Sequence, residues 1–190
     1  MKVEQLNLAG LALIHPKLHR DDRGYFVECF KDSWFRSNVA DVAFVQDNQS
    51  LSSRRGTVRG LHFQTAPFGQ GKLVRCLRGA IFDVAVDIRP GSATFGQWSG
   101  VRLTSEHHEQ LWVPEGFAHG FCTLVDDTEI HYKVTQPYSR EHERGLAFDD
   151  PEIAIDWPID IGNAILSGND KAQPALATLR ARIEPDAALS

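Results

Sequence analysis

The chain has few cysteines, no long apolar run and no strong excess of either charge, and each shortage closes off a class of function. Its three cysteines, Cys29, Cys76 and Cys122, stand far apart in 190 residues, and none belongs to a C-x-x-C pair. An odd, scattered set of this kind suggests neither a disulfide framework nor a zinc knuckle. Cys76 and Cys122 lie within apolar runs and are expected to be buried thiols. The short apolar run Leu11 to Ile14 follows Glu4 and is ended by His15-Pro16, so it lacks the long h-region of a signal peptide. No stretch approaches the roughly 20 apolar residues of a membrane span. A soluble, cytoplasmic protein is expected. With 24% charged residues and a formal net charge of -5, the whole chain offers no attraction to nucleic acid or to an anionic membrane, although a local basic patch inside a pocket stays compatible with that balance. Internal repeats, low-complexity segments and linkers are also missing. One domain over 1–190 is expected, large enough to bury roughly 70% of its unfolded surface without a disulfide or metal staple.

Strand signals are what the chain has in quantity. Lys72 to Leu77 is closed by Arg78-Gly79, and Ile81 to Ile88 is closed by the turn cluster Arg89-Pro90-Gly91-Ser92. In the second of these, Phe82, Val84, Val86 and Ile88 share one face, while Asp83 and Asp87 share the other with Ile81 and Ala85. This alternation predicts a sheet with one packed face. Gln97 to Leu103, Gln110 to Val113, Gly120 to Leu124 and Glu129 to Thr135 follow at nearly regular spacing. The series predicts an all-β sandwich or barrel, a jelly roll among them. Helix is confined to the periphery: one short helix opening near Asp32-Ser33-Trp34-Phe35 with Asp32 or Ser33 as N-cap, and another within Asp170 to Arg182, before a frayed tail over 184–190.

Two histidine motifs stand out against this background, Arg59-Gly60-Leu61-His62-Phe63-Gln64 and Pro114-Glu115-Gly116-Phe117-Ala118-His119-Gly120-Phe121. Pro114-x-Gly116-x-x-His119 matches the second half-motif of cupin barrels, in which a tight turn precedes a strand that carries a His. A metal-binding cupin would add an H-x-H pair and a carboxylate in the first motif, but His62 has no second His two residues on. A transition-metal site needs three or four convergent ligands, so no metal is expected. The other histidine pair, His107-His108 between Glu106 and Glu109, reads as an exposed loop, because adjacent strand residues point to opposite faces. Without a metal, the same residues suit proton transfer. A His titrates near working pH and can act as a base if its second nitrogen has a partner. A cation must then meet the charge that develops on the substrate. Lys72, Arg59 and Tyr132 are candidates for the surrounding roles. Tyr132 faces inward if His131 and Lys133 face outward, where it is either a proton donor or a lining aromatic with a satisfied hydroxyl.

Beyond spacing, an ordered set of segments resembles the dTDP-4-dehydrorhamnose 3,5-epimerase family of cupin-like barrels. It comprises Asp22 to Glu28, Phe44 to Asn48, Arg59 to Gln64, Gly71 to Arg75, Phe82 to Arg89 and Gln110 to Phe121. It continues with Tyr132 to Thr135, Tyr138, Glu143, Asp149-Asp150-Pro151, Asp156-Trp157-Pro158 and Leu166-Ser167. The resemblance implies an all-β, cupin-like jelly-roll barrel with a few short peripheral helices. It also implies epimerisation of a dTDP-4-keto-6-deoxy sugar nucleotide at C3 and C5, in dTDP-L-rhamnose biosynthesis and without any cofactor.

Family likeness makes His62 the base, Asp170 its partner, Lys72 the cation beside the enolate oxygen and Tyr132 the acid on the opposite face. From the motifs themselves Asp83 stays open as an alternative partner of His62. The substrate contacts carried over are Arg23, Glu28, Gln46, Asn48, Arg59, His119 and Glu143, with Tyr138 stacking on the thymine. Some N-terminal contacts reach a neighbouring subunit's site in the family, so a homodimer is expected. Asn169 departs from the pattern, since many members carry Lys there. Enzymes that epimerise only C3 or only C5 share the same His and Tyr and remain an alternative. A metal-dependent cupin and a non-catalytic binding protein are more distant ones.

Overall fold

The computed structural model describes residues 1–180. The expected frayed tail at 184–190 and the end of the helix expected to reach Arg182 lie outside the described residues.

The chain opens with β1 (Lys2–Gln5) and β2 (Ala12–His15), then forms a hairpin of β3 (Leu18–Asp21) and β4 (Gly24–Val27). A short helix, α1 (Asp32–Asn38), leads into β5 (Gln46–Ser52), β6 (Val58–Gln64), β7 (Lys72–Arg78) and β8 (Ala80–Asp87). β9 (Trp98–Thr104), β10 (Gln110–Val113), β11 (Phe117–Thr123), β12 (Thr128–Val134) and β13 (Glu143–Gly145) follow. The antiparallel strands form a six-stranded sheet in the order β1-β2-β10-β7-β12-β5 and a five-stranded sheet in the order β13-β6-β11-β8-β9. From β5 to β13 every connection except β8 to β9 carries the chain from one sheet to the other. That repeated crossing is the jelly roll expected from the strand spacing. The six strands anticipated after residue 71 are all present. β11 starts three residues early, at Phe117 rather than Gly120, because Pro114 to Gly116 alone makes the turn.

Alternating side chains divide the apolar residues among three clusters. Val74, Cys76, Ile81, Ala85, Phe117, Phe121 and Ile130 pack between the sheets. Ala12, Ile14, Leu73 and Trp112 face away from that interior and are covered by Phe35 of α1, with Phe30 and Phe44 beside it. Leu61, Phe63, Val84, Val86, Ala118 and Cys122 cover the far side of the five-stranded sheet, where Leu146, Phe148, Trp157 and Leu176 pack on them. The expectation of one packed face on β8 is therefore corrected. Its apolar face is buried under the segment after β13, and the face with Asp83 and Asp87 lies inside, where both carboxylates are buried. Asp87 is satisfied there by Arg89, Ser92 and Thr94, which close the following turn.

Two helix boundaries also differ from expectation. Lys31, not Asp32 or Ser33, occupies the N-cap of α1, without a side-chain cap, and Asp32 falls in the first turn, where its charge favours the helix N-terminus. The second helix, α2 (Gly168–Lys171), is only one turn long, because Pro174 cannot donate to a continuing ladder; helical geometry resumes at 176–180.

Candidate active site

The six-stranded sheet contributes the polar wall of a cleft. Tyr132 pairs with Val74 on one side and with Asn48 on the other, and Val134 pairs with Lys72 and Gln46. Cross-strand partners share a face, so Gln46 and Asn48, Lys72 and Tyr132 all point between the sheets with Val74, while Asp47, His131 and Lys133 point away. Lys72 is buried, and its ammonium donates to the His62 carbonyl at 3.2 Å. Burial pulls its pKa from 10.5 down to about 8 against the opposing pull of Asp83 and Glu143. Tyr132 moves the other way. Burial raises its phenol above the ordinary tyrosine value, opposed by Arg59, and so keeps the proton on the oxygen.

The five-stranded sheet contributes two His–Asp pairs. His62 and His119 are register partners on β6 and β11. Their strands approach closely because Gly60, at φ +123°, faces Gly120: a Cβ on Gly60 would lie 2.6 Å from the Gly120 Cα. His62 Nε2 donates to Asp170 Oδ1 at 2.6 Å. A carboxylate can only accept, so Nε2 carries the hydrogen and Nδ1 is the basic atom. Asp170 is itself fixed by α2. Ser167 caps the helix by accepting from the Asp170 N–H at 3.1 Å, and its hydroxyl donates to Asp170 Oδ2 at 2.6 Å. Burial pushes the Asp170 carboxyl up, but the bonds from His62 and Ser167 outweigh it and hold the carboxyl below the usual range. Asp83, the alternative partner, is committed elsewhere: it accepts from His119 Nε2 at 2.6 Å, on the neighbouring strand.

These walls enclose two chambers of about 290 and 280 Å³. Gln46, Asn48, Gln70, Tyr138 and Glu143 line the first, and Arg59, His119, Phe121, Asn169 and Asp170 line the second. His62, Lys72 and Tyr132 line both, which makes them the waist at which the chambers meet. In the first chamber Tyr138 donates from its hydroxyl to Glu143 at 2.9 Å, and its N–H donates to Gln46 Oε1 at 3.1 Å.

The structure thus brings together ten of the residues singled out from the sequence: His62, Lys72, Tyr132, Asp170, Gln46, Asn48, Arg59, His119, Tyr138 and Glu143. It does not bring Arg23 or Glu28 to the cleft. Arg23 sits at the tip of the β3–β4 hairpin, paired with Asp21 at 2.6 Å, and Glu28 is exposed just beyond that hairpin. Ser50, Gln70 and Phe121 line the cleft but were not anticipated; Ser50 was legible from its phase with Gln46 and Asn48. His107 is exposed in the turn before β10 as expected, and all three cysteines are free thiols, Cys76 and Cys122 buried. Among the described residues no three His, Cys, Asp or Glu side chains converge as a metal site, and no helix is long and apolar enough to cross a membrane.

Comparison with known proteins extends this picture. The family model for dTDP-4-dehydrorhamnose 3,5-epimerase matches residues 5–178. An epimerase of that description from Sinorhizobium fredii is 59% identical over 179 residues, spanning 94% of this chain and 91% of its own. A Legionella pneumophila 3,5-epimerase solved with dTDP-4-keto-L-rhamnose superposes with a TM-score of 0.90 at 42% identity, covering 96% of each chain. A Bacillus anthracis 3,5-epimerase solved with TDP and pyrophosphate gives 0.87 at 46% identity, over 92% of this chain and 99% of that one.

Proposed function

The chain belongs to the dTDP-4-dehydrorhamnose 3,5-epimerase family, and from that membership and the geometry of the cleft we propose how it converts dTDP-4-dehydro-6-deoxy-D-glucose to dTDP-4-dehydro-L-rhamnose. The protein is an isomerase of dTDP-L-rhamnose biosynthesis. C3 and C5 of the substrate flank the C4 ketone, so removal of a proton from either leaves an enolate. Inversion then requires removal of that proton from one face and delivery of another to the opposite face. The acidity comes from the ketone itself, and no redox cofactor enters the scheme.

The observation that carries the reading is the division of labour between sheets. His62, buttressed by Asp170, stands on the five-stranded sheet, while Tyr132 and Lys72 stand on the six-stranded one. A sugar ring at the waist would have a base on one side and a proton donor on the other. His62 Nδ1 takes the proton, and Asp170 stabilises the resulting imidazolium. The Lys72 ammonium stabilises the charge on the C4 oxygen. The Tyr132 phenol, held protonated by burial, gives its proton to the carbon from the other face. The cycle closes when the proton on His62 leaves and the phenolate is reprotonated.

Gln46, Asn48, Glu143 and the Tyr138 ring form the nucleoside side of the cleft in this reading. Arg59 supplies donors to the substrate from the second chamber, and His119, whose Nε2 hydrogen goes to Asp83, offers Nδ1 as an acceptor. Arg23 and Glu28, remote from their own chain's cleft, complete the site of a second copy in a homodimer. The cytoplasm is the compartment assigned, in keeping with three free thiols.

Proton NMR in deuterium oxide tests the reaction directly. With purified protein and dTDP-4-keto-6-deoxyglucose, deuterium should enter at both C3 and C5 as the L-lyxo sugar forms. Exchange at a single carbon would reassign the protein as a mono-epimerase, and no exchange would defeat the proposal.

A further inference from the structure

We propose that Gln64 is a positioning residue that presets the aromatic platform for the nucleotide base; this rests on the reading of Tyr138 as the base-stacking ring. Tyr138 lies on the loop between β12 and β13 and is 55% exposed. Packing alone does not hold an exposed loop aromatic in one place. The peptide groups on either side of it are held by one buried side chain. Gln64, at the end of β6, donates from Nε2 to the Pro137 carbonyl at 3.2 Å, and its Oε1 accepts from the Ser139 N–H at 2.7 Å. The second hydrogen of Nε2 goes to the Phe68 carbonyl at 2.7 Å, tying the Tyr138 loop to the loop between β6 and β7.

An amide side chain has two N–H donors, and both of these are spent within the protein. Gln64 lines the cleft without a hydrogen to offer a ligand, so its effect passes through Tyr138. Gln46 and Glu143 complete the clamp by fixing the Tyr138 N–H and hydroxyl. A ring held in its bound position loses little freedom when a base stacks on it, and preorganisation of this kind acts on binding rather than on chemistry. The same strand carries His62 two residues earlier, so β6 sets both the base catalyst and the distance to the nucleoside platform.

The test compares Gln64→Met, which keeps the length and removes the bonds, with Tyr138→Ala and the double variant. Binding of dTDP and of inorganic pyrophosphate is read by calorimetry, and turnover is read as kcat and KM. Gln64→Met should weaken dTDP about tenfold and raise KM, with kcat nearly unchanged and pyrophosphate binding unaffected. The double variant should bind dTDP no more weakly than Tyr138→Ala alone, because the two changes remove the same platform. Gln64→Glu, which puts a carboxylate oxygen against two carbonyls, should reproduce the loss if the Met variant does not fold. Additive losses, an equal loss of pyrophosphate, a fall in kcat instead of a rise in KM, or wild-type dTDP binding by Gln64→Met would each overturn the proposal. If Tyr138→Ala binds dTDP like the wild type, the stacking reading fails first and this one with it.

Discussion

Lys72 is costly to the fold in the state that chemistry requires. Its pKa falls from 10.5 to about 8 through burial, which corresponds to roughly 3 kcal/mol of penalty on the buried cation. Between those two values the folded protein binds fewer protons than the unfolded chain, so this group's contribution makes stability rise with pH across that window. Activity should run the other way, since the ammonium discharges above about pH 8. A pH profile of kcat/KM should therefore bend downward near that value, and an unbroken plateau to pH 9.5 would remove Lys72 from the enolate role. Lys72→Met should lower turnover on the order of 100- to 1000-fold while raising the denaturation midpoint. Tyr132 separates the half-reactions. Tyr132→Phe should still allow deuterium exchange at C3 or C5 but impair inversion, and equal loss of both would give the tyrosine another role.

Elements that bind ligand surrender the pattern by which strands are recognised. β5, Gln-Asp-Asn-Gln-Ser-Leu-Ser, carries Gln46, Asn48 and Ser50 on its inner face, so the apolar alternation that marks β8 is missing there. Its edge position in the six-stranded sheet follows from pairing with β12, which local sequence does not reveal. The four-residue strands β1 to β4 were unreadable because each is too short to establish a period and, unlike the equally short β10, stands outside the evenly spaced series after residue 71. The choice between Asp170 and Asp83 was equally closed to motif reading, because it depends on which strand lies beside β6 and on how α2 docks beneath Gly60. The strands from β7 to β12 were legible, because turn clusters and alternation agree there. At the level of these elements, the paired glycines of β6 and β11 invite a test. Gly60→Ala places a Cβ against Gly120 at a φ that only glycine readily adopts. It should cost on the order of 2–3 kcal/mol, read as a lower urea midpoint, and displace His62 and His119 together. A midpoint equal to wild type would mean that the close approach is not required.

For the whole molecule, the proposed homodimer would make the exposed β3–β4 hairpin part of each active unit. Tyr25 and Phe26 are 54% and 70% exposed on it, beside an Arg23 that reaches no cleft of its own chain. If each site borrows Arg23 from a second copy, Arg23→Ala and His62→Ala proteins should both be nearly inactive alone and recover activity when mixed and allowed to exchange subunits. The mixed dimer has one site with an intact His62 and an intact borrowed arginine. No recovery, with exchange verified by native mass spectrometry, would mean that Arg23 does not act on the site of a second copy.

Two of the three apolar clusters lie on the outer faces of the sheets, under α1 and under the segment after β13. The third shares the inner face with the cleft, so in evolutionary terms the freedom to choose a substrate is confined to the part of that face that the cluster leaves uncovered. Asn48 and Ser50, on the edge strand β5 and outside all three clusters, can change without disturbing packing, whereas Val74, Cys76 and Ile130 on the same inner face answer to selection for stability.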